Sequence, residues 1–463
     1  MNRRTFLASA SGVLPYARQA PPRPNVIFIL ADDLGWGDLS CYGNRRIQTP
    51  ALDRLAAQGA LFTQFYAAGP VCSPSRCGFL TGHFPARHRI HGHFATPEQN
   101  EKRGMPNFLD PATPTLPAAL KNAGYATAHF GKWHLGRGPG APLPDAYGFD
   151  THWSVNSNDT RQDDLAEGFR AKSSRLIVDS AIRFVEENRS RPFYAQLWTL
   201  VPHAPLAPAA EQMAPLERFQ PGPHVPHKSA AQIYYASLLD LDAQIGRLAA
   251  RLDELGLAER TLILFSSDNG PEDIHINNAG HSAIGSPGPF RGRKRSLYEG
   301  GVRVPLIARW PGHLPAGKVN NRAVLGGVDF FPSLAGLCGA SAPPAAQLDG
   351  EDRGAALLGD EGARGKPLMW EWRFNIAGYA VNRSPMLAIR DGDWKLLLNP
   401  DRSRVELYDI PRDPMELSNV ADRNGGVVRR LSERVLSWQK TLPAGPIEPS
   451  AGRNDYPWPG QAR

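Results

Sequence analysis

Cysteine is scarce in this chain of 463 residues: there are four, at Cys41, Cys72, Cys77 and Cys338. Four cysteines allow three pairings, and spacing selects none of them. If Cys72 is consumed by oxidation an odd number remains, so a disulfide framework is not expected to hold the fold. No CxxC pair or Cys/His ladder with zinc spacing occurs, so no structural zinc site is expected. Beyond the N-terminus no segment has the apolar length of a membrane-spanning helix. There is no internal repeat, which excludes a solenoid. The net charge is +7, yet the basic residues are scattered and no Lys/Arg block forms. That balance suits nucleic acid, an anionic membrane or a sulfated polymer, and it equally suits a basic soluble protein with no anionic partner.

Glycine and proline are plentiful instead, at 45 and 43 residues, which predicts long ordered loops between regular elements. A hydrophobic share of 41% with 21% charged residues is ordinary for a soluble globular protein, and the length permits a large core. The chain begins Met1-Asn2-Arg3-Arg4-Thr5-Phe6-Leu7, followed by a short apolar stretch to about Leu14. Twin arginine before such a stretch reads as a Tat-type export signal over residues 1–22, implying a periplasmic or secreted bacterial protein. The alternative is a basic irregular tail; no clean Ala-x-Ala cleavage site precedes Pro21-Pro22.

Residues 25–30, 126–130, 193–200 and 262–266 read as buried strands, and 117–122, 173–187 and 230–255 as helices. Thr49-Pro50 opens a further helix that ends at Gly59. Strands alternating with helices predict an α/β domain over 23–350, a large mostly parallel sheet sandwiched by helices. Each predicted strand is followed closely by a polar cluster: Asp32-Asp33, Gly131 to His134, Pro202-His203 and Asp268-Asn269. In such folds sites gather at the carboxyl ends of the strands, so the four clusters predict one shared site. After about Gly350 the pattern changes to a hairpin (386–390 and 394–398), a strand at 405–410 and a helix at 427–440. This predicts a small C-terminal α+β subdomain over 351–445, with antiparallel sheet and helix, and an irregular tail over 446–463.

Asp32, Asp33, Asp268 and Asn269 offer an all-oxygen donor set. Such a set suits a hard divalent cation, calcium or magnesium, rather than zinc or copper. Taken singly, each motif also reads as a turn or capping pair. Cys72-Ser73-Pro74-Ser75-Arg76, with Leu80-Thr81-Gly82 after it, is the most specific stretch. With the four clusters, and with Lys294 ahead of Glu299-Gly300-Gly301, it resembles the type I, formylglycine-dependent sulfatase family of the alkaline phosphatase superfamily. The resemblance runs along most of the chain. It implies that a sulfatase-maturating enzyme, such as a formylglycine-generating enzyme, oxidises Cys72 to an aldehyde. It further implies a calcium ion held by Asp32, Asp33, Asp268 and Asn269, with modified Cys72 completing the shell.

The hydrated aldehyde would attack sulfur with one hydroxyl and expel sulfate by collapse of the other, an exit that serine lacks. Arg76 lies one helical turn after Cys72 and returns to the same end of its helix; the resemblance assigns it to the aldehyde hydrate. In an extended segment Lys132 and His134 share a face. The resemblance gives Lys132 to a sulfate oxygen and His134 to the elimination proton. It gives His203 and Lys294 to the sulfate and the leaving oxygen.

His83, His88, His91 and His93 are expected as exposed loop residues; His281 is left open between that and the pocket. Arg291, Arg293 and Arg295 read either as a contact for a polyanionic sugar or as a solvated basic loop. Two residues depart from the family's usual pattern: His83, where arginine is common, and Cys77, where a small non-thiol residue is common. The latter leaves open the redox fate of a second thiol about one turn from Cys72. The region around Gly288 to Lys294 looks like the branch with N-acetylgalactosamine-6-sulfatases and arylsulfatase A, so a sulfated carbohydrate or another organic sulfate ester is the expected substrate. No nucleic-acid partner and no membrane span are expected. Competing readings are a phosphoester or phosphonate hydrolase on the same scaffold, and a non-catalytic glycan-binding protein with unmodified Cys72. Loops 98–117, 136–158 and 202–229 are expected to set specificity.

Overall fold

The computed structural model describes residues 23–136, 138, 140–155, 168–220, 229–273, 281–376 and 378–454. The expected export segment over 1–22 and the last part of the tail, 455–463, lie outside them. Asn25–Ala31 forms β1, and its alternation sends side chains to two different cores. Val26, Phe28 and Leu30 join one apolar cluster, while Ile27, Ile29 and Ala31 join another. The second cluster includes Ile177, Phe184, Leu238 and Ile245, from helices Phe169–Asn188 and Ala230–Glu254. A strand buried on both faces is what a parallel sheet sandwiched by helices requires.

The remaining strands of this sheet are β2 (Ala60–Tyr66), β3 (Ala126–Lys132), β4 (Thr151–Val155), β5 (Phe193–Trp198), β6 (Thr261–Ser267), β7 (Arg303–Arg309), β8 (Lys318–Asn320) and β9 (Leu325–Gly326). Their order is β4-β3-β5-β1-β6-β7-β2-β8, with β9 also on β2. Every pairing is parallel except those of β7, which runs antiparallel to both β6 and β2. β2, β4, β7, β8 and β9 are additions to the expected strands. Pro305 sits inside β7, where its missing N–H breaks a ladder. Opposite it, β2 slips in register between Phe62 and Phe65, which takes up the mismatch.

A second, antiparallel sheet has the order β10 (Leu368–Glu371), β11 (Leu387–Asp391), β12 (Trp394–Leu398) and β13 (Glu406–Asp409). Helix Gly425–Lys440 packs on it through Leu431, Val435 and Trp438. The expected hairpin is β11–β12, turning through Gly392 and Asp393. One apolar cluster runs from β1 into this second sheet, so the two sheets share a core. No helix among the described residues is long and apolar enough to cross a membrane.

Candidate active site

The four strands that end in polar clusters, β3, β5, β1 and β6, are consecutive in the sheet. Their carboxyl ends lie side by side, the end of the sheet where such folds bind ligands. Register delivers the clusters to one level. The Thr199 N–H donates to Leu30 O, Asp32 N–H to Val201 O, and Asp268 N–H to Ala31 O. Close backbone approach completes the frame. A side chain at Gly131, which has φ 105°, would meet Trp198 O at 2.1 Å, and one at Gly270 would meet Gly300 O at 2.0 Å.

Helix Cys72–Thr81 is buried along its whole length and starts at the cluster. The Cys72 thiol donates to Asp32 Oδ1 at 3.5 Å and lies 3.9 Å from Asp33 Oδ1. One turn on, the Arg76 guanidinium donates twice to Asp268 Oδ2, at 3.0 and 2.7 Å, and once to Lys132 O at 3.0 Å. It lies 3.4 Å from Asp32 Oδ1 and 5.0 Å above the Trp198 ring. Lys132 Nζ donates to Asp32 Oδ2 and Lys294 Nζ to Asp33 Oδ2, each at 2.6 Å. Asn269 donates to Asp33 Oδ1 at 2.7 Å, and His203 Nε2 is 3.8 Å from Asp33 Oδ2. All ten residues expected at the site except His134 thus bond or pair directly within this cluster.

His134 stands at its edge. Its ring bonds the Phe94 carbonyl through Nε2 at 3.2 Å, so Nε2 carries the proton, and Nδ1 is buried without a partner. The expected extended alternation of Lys132 and His134 does not hold. His134 adopts φ 54°, because the chain turns off the strand immediately after β3.

The donor set fits a hard cation. Ligand atoms of Asp32, Asp33, Cys72 and Asp268 lie within 4.8 Å of one another, all from buried residues. Asn269 Oδ1 is buried with no hydrogen-bond partner. An orphaned amide oxygen beside three crowded carboxylates is what a divalent cation with oxygen ligands would satisfy. Charge is redistributed accordingly. Burial pushes the Asp32 carboxyl up, but Lys132, His203 and Arg76 outweigh it and hold it well below the ordinary range. Burial and the charge of Asp32 push the Asp268 carboxyl up to about 7. Burial and Lys132 hold His134 well below the usual imidazole range, so it is neutral. Lys294 is held well above its ordinary value, since Asp33, Cys72 and Glu272 outweigh burial. The Cys72 thiol is pushed up by burial, which keeps it protonated.

Two family models match. One described as "Sulfatase" covers residues 24–340, and one described as "N-sulphoglucosamine sulphohydrolase, C-terminal" covers residues 290–441. The chain belongs to the sulfatase family. It is 30% identical to an N-acetylgalactosamine-6-O-sulfatase of Bacteroides thetaiotaomicron over 90% of this chain and 94% of that one. It is 34% identical to human arylsulfatase A over 85% and 77% of the two chains. Among solved structures it matches Ps i-CgsB in complex with k-i-k-neocarrahexaose, with TM-score 0.75, 26% identity and coverage of 93% and 96%.

Several side chains of the sulfatase lie where sequence reasoning did not put them. His83 and His91 are buried and His88 is half-buried, because the loop after the Cys72 helix is pinned under the C-terminal part rather than exposed. His83 and His88 bond ring to ring at 3.0 Å, and Glu371 lies 3.5 Å from His91. His93 is half-buried beside His134. Arg291, Arg293 and Arg295 are not a free basic loop. Arg291 stacks 3.8 Å from the centre of the Tyr298 ring, Arg293 donates to the carbonyls of Glu272, Ala283 and Gly285, and Arg295 pairs with Glu272. Glu272, missed in the sequence, also lies 3.5 Å from Lys294. Its only signal was its place two residues after Gly270. All four cysteines are free; Cys77 is buried in the core, and its thiol contacts the Thr81 hydroxyl at 3.9 Å. His281 immediately precedes the short turn Ser282–Ile284. Of the loops expected to set specificity, 137, 139, 156–158 and 221–228 lie outside the described residues.

Proposed function

We propose that this sulfatase uses a formylglycine made from Cys72, together with calcium, to release inorganic sulfate from a sulfated carbohydrate. The observation that carries the reading is convergence. Cys72, the three carboxylates and three buried cations meet at one point. Bound calcium would supply Lewis-acid polarisation of the sulfate group; magnesium is the competing hard cation. Asp32, Asp33, Asp268 and Asn269 would hold it. As built, the carboxylates Asp32, Asp33, Asp268 and Glu272 are matched by Arg76, Lys132, Lys294 and Arg295.

On this reading the ammonium groups of Lys132 and Lys294 would bind the sulfate oxygens. Arg76, locked by Asp268 and the Lys132 carbonyl, orients the modified residue. His134 offers Nδ1 as proton acceptor while its Nε2–H is anchored to Phe94. His203, with Nδ1 bonded to the Ala204 carbonyl, presents Nε2 towards the leaving oxygen. The sugar preference is supported by relatives whose names specify N-acetylgalactosamine 6-sulfate. Export through residues 1–22 is part of the same reading.

The test is chemical. The tryptic peptide carrying Cys72 should react with a hydrazine reagent and show the mass of the aldehyde. The Cys72→Ala protein should lose aryl sulfate hydrolysis, by about 10³-fold or more. An unmodified, unreactive Cys72 in active protein would end the covalent reading. Faster turnover of aryl phosphate than aryl sulfate would favour the phosphoester alternative.

A further inference from the structure

Loop 89–96 runs beside the site, held from both sides. The Phe94 N–H donates to Ser73 Oγ at 3.0 Å, on the helix that carries Cys72, and the Phe94 carbonyl receives His134 Nε2. These two bonds fix the neighbouring residue, His93, against the catalytic cluster. Its ring centre is 6.3 Å from that of His134. From the outer side, Arg103 donates to the His93 carbonyl at 3.3 Å while its guanidinium lies 5.6 Å from the Phe374 ring of the C-terminal part. Arg103 is thus a positioning residue, clamping the loop between the two sheets. Among the described residues neither ring nitrogen of His93 has a partner.

The surroundings decide what this imidazole can bind. The charges that act on it most are cationic: Arg103, Lys294, Arg295 and Lys132. With burial, they push the His93 ring down to about 3, so it is neutral at any working pH. Fixed cations already serve an anion here. A neutral imidazole adds one donor and one acceptor, which matches a hydroxyl group, itself donor and acceptor. Resting on the sulfatase reading above, we infer that His93 binds a ring hydroxyl of the sugar from which sulfate is removed, and so selects carbohydrate over aryl leaving groups.

The test compares 4-nitrophenyl sulfate with a panel of sulfated monosaccharides that includes N-acetylgalactosamine 6-sulfate, both assayed on one preparation so that inactive protein cancels. The readout is the ratio of kcat/KM for the best sugar to that for the aryl ester. His93→Ala should lower this ratio about 10- to 100-fold, mainly through KM on the sugar. His93→Asn, which keeps a donor and an acceptor, should restore part of it. A ratio within about twofold of wild type would overturn the inference, whether both activities fall together, as a structural role would give, or neither falls. Wild-type turnover of the aryl ester with none of the sugars would also overturn it. Failure of wild type on every sulfate ester would instead count against the sulfatase chemistry.

Discussion

This protein buries two clusters of mixed charge, and they differ in how their acids are faced. At the strand ends Asp32, Asp33 and Asp268 turn towards one another and Cys72, and Asn269 Oδ1 has no donor. Between the two sheets, Glu299, Glu416, Lys395 and Arg303 are equally buried. There the cations stand between the acids. Lys395 lies 2.8 Å from Glu299 Oε1 and 3.0 Å from Glu416 Oε1, and Glu299 Oε2 receives Tyr66 and Arg303. Glu416 Oε2 accepts the Glu299 N–H at 2.6 Å. Buried charge alone therefore does not mark a site. Glu416 Oε1 also lacks a hydrogen bond, but Lys395 pairs with it at 3.0 Å. Convergent acceptors, one of them with neither a hydrogen bond nor an ion pair, mark the site.

Breaking the first cluster should cost activity most. Asp33→Asn removes a proposed cation ligand and the partner of Lys294. It should lower kcat/KM for an aryl sulfate by about 10³-fold, and added calcium should raise Tm for wild type but not for this variant. Breaking the second should cost stability. Lys395→Met leaves two buried carboxylates facing each other, worth about 3–5 kcal/mol by denaturant unfolding. Its kcat/KM, measured well below the transition, should stay within a small factor of wild type.

The finest distinction is in pH. Burial pushes the Glu416 carboxyl up to about 7 from an ordinary 4.5, with Lys395 claimed by Glu299 as well. Folding therefore favours its protonated form. That contribution is fully present below about pH 4.5 and is lost as pH rises through about 7. The stability of wild type relative to Glu416→Gln should fall across that window, by about 3 kcal/mol at most. A flat difference would mean that Lys395 already neutralises both acids.

Much of the catalytic face was legible in the linear chain. The apolar run 25–30 followed by Asp32-Asp33 could only be a buried strand delivering carboxylates to its end. The turn from Cys72 to Arg76 needed nothing beyond helical periodicity. His93 and Glu272 escaped because neither belongs to a periodic run; their roles arise from loops pinned by contacts far away in sequence. The arginines at 291, 293 and 295 misled for the converse reason. A Gly/Arg-rich stretch looks solvated until carbonyls and Glu272 are found to claim its guanidinium groups.

The sequence by itself determined the strands and helices that frame the site, the four strand-end clusters and the chemistry of the donor atoms, because these follow from local periodicity and side-chain identity. Tertiary structure decided the rest. It made β3, β5, β1 and β6 neighbours, chose which cations meet which carboxylates, and brought His93 beside His134. Those pairings depend on crossovers and packing between residues up to 261 positions apart, and no local pattern encodes them.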